Sequence, residues 1–417
     1  MSAAKPFSIS KQQVMRAFEL VKANKGAAGI DNQSIECFEK DLKSNLYKLW
    51  NRMSSGSYFP PAVKAVAIPK KSGGERLLGI PTVSDRIAQM VVKLELEPCI
   101  EPYFLDDSYG YRPNKSALDA VGITRKRCWE YDWLLEFDIK GLFDNISHEL
   151  MMRAVEKHTE STWVRLYVRR WLTAQMQMPD NSLVHRNQGT PQGGVISPLL
   201  ANLFLHYVFD KWLQKHYSHL KWCRFADDGL VHCNSKVEAE MMLNILTERF
   251  RECGLELHPV KTKIVYCKDG SRQGQHEHTA FDFLGYTFRC RKSINRWTKQ
   301  VFSGFGPAIS KQSTLSIGEK LRKLRFRTRT DLELKDLAKL LNPMIQGWLM
   351  YYGKYYRSAM YAVCRLINNG LITWARRKYK SLSHRSRTRA SELMKRIAKQ
   401  SPGLFAHWRA GMVGAFV

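Results

Sequence analysis

Apolar residues recur at helical spacing through the first 56 positions. Val14, Phe18 and Val21, then Phe38, Leu42 and Leu49, fall at steps of three, four or seven that hold them on one face. Lys25-Gly26-Ala27-Ala28-Gly29 interrupts that pattern with a flexible turn. Pro60-Pro61 opens a strand-like run over 63–68, followed by a polar glycine hairpin over 69–76 and a second strand over 77–80. A helix is expected over 84–96 with Ser84 as its cap. Beyond it, strand signals at 133–139, 223–233, 255–266 and 281–289 alternate with helical ones at 148–158, 193–214 and 236–253, the last capped by Ser235. From about Arg291 the strand signals fade, and basic, aromatic-rich helices follow at 332–341, 343–354 and 358–380. The pattern predicts an α+β fold, with helices on one side of a mainly antiparallel sheet and a helical last third. The change of texture puts a domain boundary near 290–310.

Charge changes the picture most. The 417 residues carry 66 Lys and Arg against 38 Asp and Glu, a net charge of +28. The excess is concentrated, since residues 311–417 hold 23 Lys and Arg against 5 Asp and Glu. A surplus of this size and clustering faces a polyanion, and nucleic acid is the expected partner. None of the nine cysteines forms a C-x-x-C pair, which excludes a zinc ribbon or treble-clef nuclease. No apolar run approaches the ~20 residues that span a bilayer. The N-terminus also lacks the apolar stretch of a secretory signal, so a cytoplasmic location is expected.

Two strand ends carry candidate chemistry. One is Asp138 in LLEFDIKGLFDNI; the other is the pair Asp227-Asp228 in the turn of CRFADDGLVHC. Adjacent carboxylates between apolar strands disfavour each other's ionisation unless a cation lies between them. A hard divalent ion such as Mg²⁺ resolves the conflict. A third carboxylate from another strand makes a site for two such ions, the arrangement of nucleotidyl transfer. Asp-Asp in a hairpin is also ordinary turn chemistry. The flanking apolar strands and the upstream Asp138 weigh against that plainer reading.

Phe225-Ala226-Asp227-Asp228 resembles the signature turn of reverse transcriptases, and the ordered blocks around it resemble the bacterial group II intron-encoded kind. These blocks are Ile68-Pro69-Lys70 with Arg76 to Pro81, Tyr109 to Pro113, Phe137 to Asp144, Gly189 to Pro198, Gly254 to Lys263 and Phe283-Leu284-Gly285. Asn24 to Asp31 resembles the extra N-terminal block of that lineage, and Asn342 to Gly353 its maturase, or thumb, segment. The resemblance spans roughly residues 10–380 and implies a right-hand polymerase. Its divisions would be a helical extension over 1–60, fingers and palm over 61–295, a thumb over 296–380 and a short basic DNA-binding tail over 381–417.

The resemblance also implies roles. Asp138, Asp227 and Asp228, with Ile139, would hold two Mg²⁺ ions, Mn²⁺ being a possible substitute. Lys70 and Arg76 would meet the triphosphate of the incoming dNTP, as permanent cations do. Phe143 would crowd a ribose 2′-hydroxyl, Gln192 would lie along template or nucleotide, and Lys261 would stand near the primer end. Arg112 is open between a structural role and a template contact. Phe225 stands where many members have Tyr, so a phenolic hydroxyl is missing there.

In the last third, Trp348, Tyr352 and Trp374 are expected in a core. Lys354, Arg357, Arg376, Arg377 and Lys378 are expected as contacts to RNA. Arg385, Arg387, Arg389, Lys395, Arg396 and Lys399 are expected on DNA or in solvent. No H-N-H endonuclease signal follows them. The expected protein copies intron RNA into DNA, assists splicing as a maturase and supports mobility, with intron RNA, an RNA template and a DNA primer or target as partners. It would work in the bacterial cytoplasm, on the nucleoid when bound to DNA. A host-adopted reverse transcriptase serving repair or phage defence, and a splicing-only maturase, are the alternatives.

Overall fold

A computed structural model describes residues 5–69, 74–295, 297–383 and 387–413. Helices α1 (Lys11–Asn24), α2 (Ile35–Lys40) and α3 (Leu42–Ser54) lead into strands β1 (Val63–Pro69) and β2 (Glu75–Ile80). Then come α4 (Val83–Ile100), α5 (Ala117–Glu130), β3 (Trp133–Asp138), the short α6 (Leu142–Asn145), α7 (His148–His158) and α8 (Thr162–Leu172). Two short strands, β4 (Met176–Gln177) and β5 (Leu183–Val184), precede α9 (Ser197–Leu205), a π-helical turn over 206–210 and α10 (Lys211–His216). The hairpin β6 (Lys221–Phe225) and β7 (Asp228–Cys233) is followed by α11 (Lys236–Glu252) and β8 (Lys263–Tyr266). Strands β9 (Ala280–Phe283), β10 (Tyr286–Ile294) and β11 (Val301–Ile309) come next. The chain then runs through α12 (Lys311–Lys323), α13 (Leu334–Tyr352), α14 (Tyr361–Lys378), α15 (Lys380–Ser383), α16 (Arg387–Gln400) and α17 (Ala406–Arg409).

The chain forms two compact units, one of residues 1–120 and 135–264, the other of 121–134 and 265–417. In the first, α4 is buried on nearly every face (Val83, Ile87, Val91 and Leu96 are fully enclosed), and α1 packs along it. This unit holds a sheet in the order β2-β1-β4-β5. A second sheet runs β6-β7-β3-β8. In the second unit β9, β10 and β11 form an antiparallel sheet, and α12, α13, α14 and α16 enclose a core around Leu337, Leu341, Ile367, Leu371 and Trp374. Among the described residues no helix is long and apolar enough to cross a membrane.

Several local expectations need correction. The helix expected over 84–96 starts one residue earlier and runs to Ile100; its cap is Thr82, whose hydroxyl accepts from the Asp85 N–H, and not Ser84. The helix expected over 193–214 begins at Ser197 and is broken by the π-turn, because Gly193 and Gly194 belong to a loop. Of the strand expected over 255–266 only Lys263–Tyr266 pairs continuously. The fading of strand signals after Arg291 is not followed: β10 continues to Ile294 and pairs with β11 through nine residues. VFSGFGPAI has weak strand propensity, with two glycines and a proline, and pairing with β10 overrides it. The helices expected to part at Pro343 are one, α13.

The described residues of the last segment, 381–383 and 387–413, do not trail as a tail. Ala390, Met394 and Ala398, at helical spacing on α16, are buried in the core of the second unit together with Phe405 and Trp408. Asn342 ties the segment down through its amide, which donates to the Leu404 carbonyl (2.9 Å) and accepts from the Ala406 N–H (2.9 Å). Asn368 accepts from Trp408 Nε1 (3.0 Å) and bonds His407 Nε2 (2.7 Å). Burial pushes His407 down to about 3, so it is neutral there at physiological pH.

Candidate active site

Asp138 ends β3 and Asp228 begins β7, and the two strands are neighbours in one sheet. Gly229 makes their approach possible. A Cβ built on it would stand 2.1 Å from the Phe137 ring, so that ring crosses β7 only where a side chain is missing. The residues following Phe137 and preceding Gly229 are the two carboxylates. Asp138 is buried and its carboxylate accepts a hydrogen bond from Lys261 Nζ. Asp228 is open to water yet crowded by protein on most sides, as at the floor of a cleft. Desolvation, then the fields of Asp227 and Asp138, push Asp228 from an ordinary 3.8 up to about 7. Desolvation and Asp138 also raise Asp227, against Lys261 and Arg76. Burial pulls the Lys261 ammonium down, but its bond to Asp138 and the three carboxylate fields outweigh that, and the net shift is upward. The expected Asp138, Asp227, Asp228, Lys261 and Arg76 therefore act on one another electrostatically. Among the described residues no three His, Cys, Asp or Glu side chains stand close enough together to form a ready metal-ligand set.

The Asp228 shift fixes the sign of a pH effect. A raised carboxyl contributes its full share of folding stability below about pH 4 and loses it as pH rises through about 7. Asp228→Asn therefore stabilises the protein in EDTA at pH 8 by about 1 kcal/mol after allowance for solvent screening, or about 1 °C in Tm. At pH 4 the gain vanishes. Paired thermal melts check both halves, and equal gains at the two pH values would remove the shift.

The Asp227 turn is held from behind. Ala226 sits at φ 57°, a left-handed conformation that a residue with a Cβ adopts only under constraint. The constraint comes from the fully buried Arg224. Its guanidinium donates to Asp210 (2.6 and 2.8 Å), Asn202 Oδ1 (3.0 Å), Ser108 Oγ (2.8 Å) and the Ala226 carbonyl (3.1 Å). Burial pushes Asp210 up, but Arg224 outweighs it and holds the carboxylate below its usual range. Gly110 closes the arrangement: a Cβ on it would meet the Ala226 nitrogen at 2.4 Å, so only glycine lets that backbone lie against the turn. The neighbouring Tyr111 is raised first by burial and then by Asp227. Sequence reasoning gave Arg224, Asp210, Tyr111 and Gly229 no role. A lone Arg inside an otherwise apolar strand was the available signal for Arg224.

The remaining expected residues fall as follows. Ile139 pairs with Leu257 between the bonds His258 N–H to Asp138 O (2.8 Å) and Lys140 N–H to Glu256 O (2.9 Å). Its own carbonyl is therefore turned to the opposite, β7 side. Phe143 is half-buried on α6, and its carbonyl accepts from Thr190 N–H (2.6 Å), which joins α6 to the loop over 189–196. Gln192, half-buried in that loop, accepts through its carbonyl from Gly79 N–H on β2 (2.7 Å). Buried Asp85 orients the same loop: it accepts from Tyr58, Trp171 and Gln89, and the Gln89 oxygen then accepts from Val195 N–H (2.7 Å). Arg112 is structural, donating to Glu101 and to the Leu105 and Ser108 carbonyls. Lys70 and Arg385 lie outside the described residues.

In the second unit Trp374 is buried, while Trp348 and Tyr352 pack partly buried against the core. Lys354, Arg357 and Arg377 are exposed and Arg376 is half-buried. Lys378 is not a free contact. Its ammonium donates to the Thr330 and Leu332 carbonyls and to Glu333. Arg387, Arg389, Lys395, Arg396 and Lys399 are exposed along α16.

Comparison with known proteins agrees with this geometry. Residues 68–288 match the family described as reverse transcriptase (RNA-dependent DNA polymerase), and residues 314–393 match the maturase-specific domain of group II introns. The group II intron-encoded protein LtrA of Lactococcus lactis subsp. cremoris is 34% identical over 201 residues, 47% of this chain and 33% of LtrA. Protein YkfC of Escherichia coli K12 is 30% identical over 321 residues, 66% of this chain and 80% of YkfC. A putative COX1/OXI3 intron 1 protein of Saccharomyces cerevisiae is 28% identical over 310 residues, 72% of this chain and 36% of that protein. The chain thus spans about a third of the length of LtrA and of the yeast protein. Carrying an RNA-dependent DNA polymerase domain followed by a maturase-specific domain, the chain belongs to the group II intron-encoded reverse transcriptases/maturases.

Proposed function

We propose that the chain extends a 3′-end with dNTPs on an RNA template, and that its helical unit grips intron RNA to assist splicing and mobility. The observation that carries the first part is the mutual field of Asp138, Asp227 and Asp228, joined by Lys261 and Arg76. This donor set fits hard divalent cations: three carboxylates and a backbone carbonyl are all oxygen ligands, and Asp227 and Asp228 stay raised despite the charge of Lys261 and, at Asp227, of Arg76. Asp138, Asp227 and Asp228, with the Ile139 carbonyl, would hold two Mg²⁺, or Mn²⁺ in its place. Bound there, such ions supply acidification of an attacking 3′-hydroxyl and charge for the triphosphate and leaving oxygens.

The protein's own groups do the rest. Arg76, and Lys70 in the same hairpin of the sequence, meet the triphosphate, and Lys261 balances charge at the primer end. Gln192 lies along template or nucleotide, on a loop whose backbone is bonded to β2 and to α6. In this reading residues 1–60 extend the fingers and palm of 61–295, 296–380 form the thumb, and the basic face of 381–417 meets DNA.

The direct test is primer extension on an RNA template with dNTPs and Mg²⁺. Template-dependent product is expected, and none from an intact, folded chain would overturn the reading. Phe143→Ala is expected to raise ribonucleotide incorporation about tenfold relative to dNTP, the scale of one removed steric contact. Unchanged discrimination in single-nucleotide extension would assign the ring to packing. For the maturase role, adding the protein to its cognate intron at low Mg²⁺ is expected to speed splicing.

A further inference from the structure

The second unit holds a cavity of about 590 Å³, to which the expected RNA contacts Lys354 and Arg357 contribute and whose other lining residues have no role above. Its walls come from the end of α5, the strands β10 and β11 and the segment 354–358. Five cations line it, Arg125, Arg291, Lys292, Lys354 and Arg357, and no carboxylate does. Among the described residues none of the five is in an ion pair. Arg125 lies over the Trp129 ring (4.3 Å) and Arg291 over the Tyr356 ring (5.3 Å). Burial lowers both guanidinium groups, Arg291 being lowered further by Arg289, so their charge is partly desolvated. Arg291 donates to the Thr287 (3.0 Å) and Gly306 (3.2 Å) carbonyls and Arg357 to the Ala410 carbonyl, so neither of these two charges meets a carboxylate. The rings are available: Trp129 is 45% and Phe302 49% exposed. Beyond the cavity, the tip of the β10–β11 hairpin leaves Trp297 92% exposed.

Five cations with no carboxylate among the lining residues call for an anion, and aromatic faces interleaved with them call for one that carries flat rings. A cavity of this size is too large for a single ion and suits a small-ligand cleft. We infer that this cleft binds an unpaired nucleic-acid segment, with a base stacked on Trp129 or Phe302 and phosphates on Lys292 and Lys354. Stacking on aromatic rings with cations along the backbone is how single strands are held. The inference rests on the proposed grip of the second unit on RNA and shares no residue with the carboxylate cluster, so it stands whether or not that cluster polymerises DNA.

The test measures binding of the full chain to U12 RNA and to dT12 DNA across a salt series. Lys292→Glu is expected to weaken the preferred strand about tenfold and to reduce its log–log salt slope by about 0.7, the loss of one phosphate contact. Trp129→Ala is expected to lose a similar factor. Because Trp129 Nε1 also donates to the Phe305 carbonyl (2.6 Å), Trp129→Phe separates stacking from folding and is expected to recover most of the affinity. Photo-crosslinking with 4-thiouridine-substituted U12 is expected to mark peptides containing Trp129 or Tyr356. Affinities within twofold of wild type for both Lys292→Glu and Trp129→Ala, crosslinks confined to other peptides, or full displacement by free UMP at equal nucleotide concentration would each overturn it. Primer extension run beside the binding assay separates this inference from the polymerase reading. Strand binding weakened about tenfold in Lys292→Glu, with extension from a preformed duplex unchanged, is the expected pair.

Discussion

Asp227→Ala is expected to cut primer extension on an RNA template at least about a thousandfold while RNA affinity stays within about threefold. The magnitude follows from what the carboxylate does. Removing one preorganised electrostatic group from a transition state costs on the order of 10²–10³, and loss of a metal ligand costs more, since the positioning of both reacting oxygens goes with it. The small effect on RNA follows from charge. The molecule carries +28, and strand affinity depends on its many lysines and arginines, of which residues 311–417 hold 23 against 5 acidic residues. The structural cost is small too, because Asp227 sits in a turn whose shape is fixed from behind. Deleting one raised carboxylate also relieves repulsion on Asp228, so the variant is expected to melt no lower than wild type. Single-turnover extension with a filter-binding control checks both arms. Residual extension within tenfold of wild type would count against the assignment.

Arg224→Ala is expected to destabilise the protein by about 3–5 kcal/mol, the usual cost of breaking a fully buried ion pair by removing one partner. Asp210, also fully buried, is left as an uncompensated charge, and Asn202, Ser108 and the Ala226 carbonyl lose a donor. Asp210→Ala is expected to behave alike, and the double variant Arg224→Leu/Asp210→Leu to recover much of the lost stability because no charge remains buried. Extension by the double variant is nonetheless expected to stay at least about tenfold down. The bond that holds Ala226 at positive φ has gone, and the turn that aims Asp227 is free to relax. Denaturant melts combined with kcat and KM for dNTP separate the two effects. A double variant as active as wild type would show that Arg224 serves stability alone.

The carboxylates of the candidate site were more legible than the residues that support them. Asp138 and the Asp227-Asp228 turn announce themselves because carboxylates at the ends of apolar strands are costly without a cation. Local periodicity also found α7, the β6–β7 hairpin and α11 with its Ser235 cap. Arg224 stayed hidden because its partners lie 14, 22 and 116 positions away in the chain, and no local pattern encodes such a meeting. Strand β11 was illegible for a related reason: its glycines and Pro307 argue against a strand, and the ladder with β10 supplies what propensity does not. The basic 381–417 segment read as a tail because its charge masks Ala390, Met394 and Ala398, small or flexible residues that complete a helical stripe. Lys378 read as a nucleic-acid contact for its position in a basic run, whereas three acceptors at 330–333 claim its donors.

Mn²⁺ uptake tests the central claim most directly, because it reads the carboxylate cluster without requiring turnover. Free Mn²⁺ is followed by electron paramagnetic resonance as it is titrated into the full chain at pH 8 with a primer–template and a dNTP present. Wild type is expected to take up about two ions saturably, Mg²⁺ to compete them off, and Asp227→Ala to keep fewer than about one. Equal uptake by wild type and the variant would contradict the account, since the three carboxylates would then hold no cation that the chemistry could use.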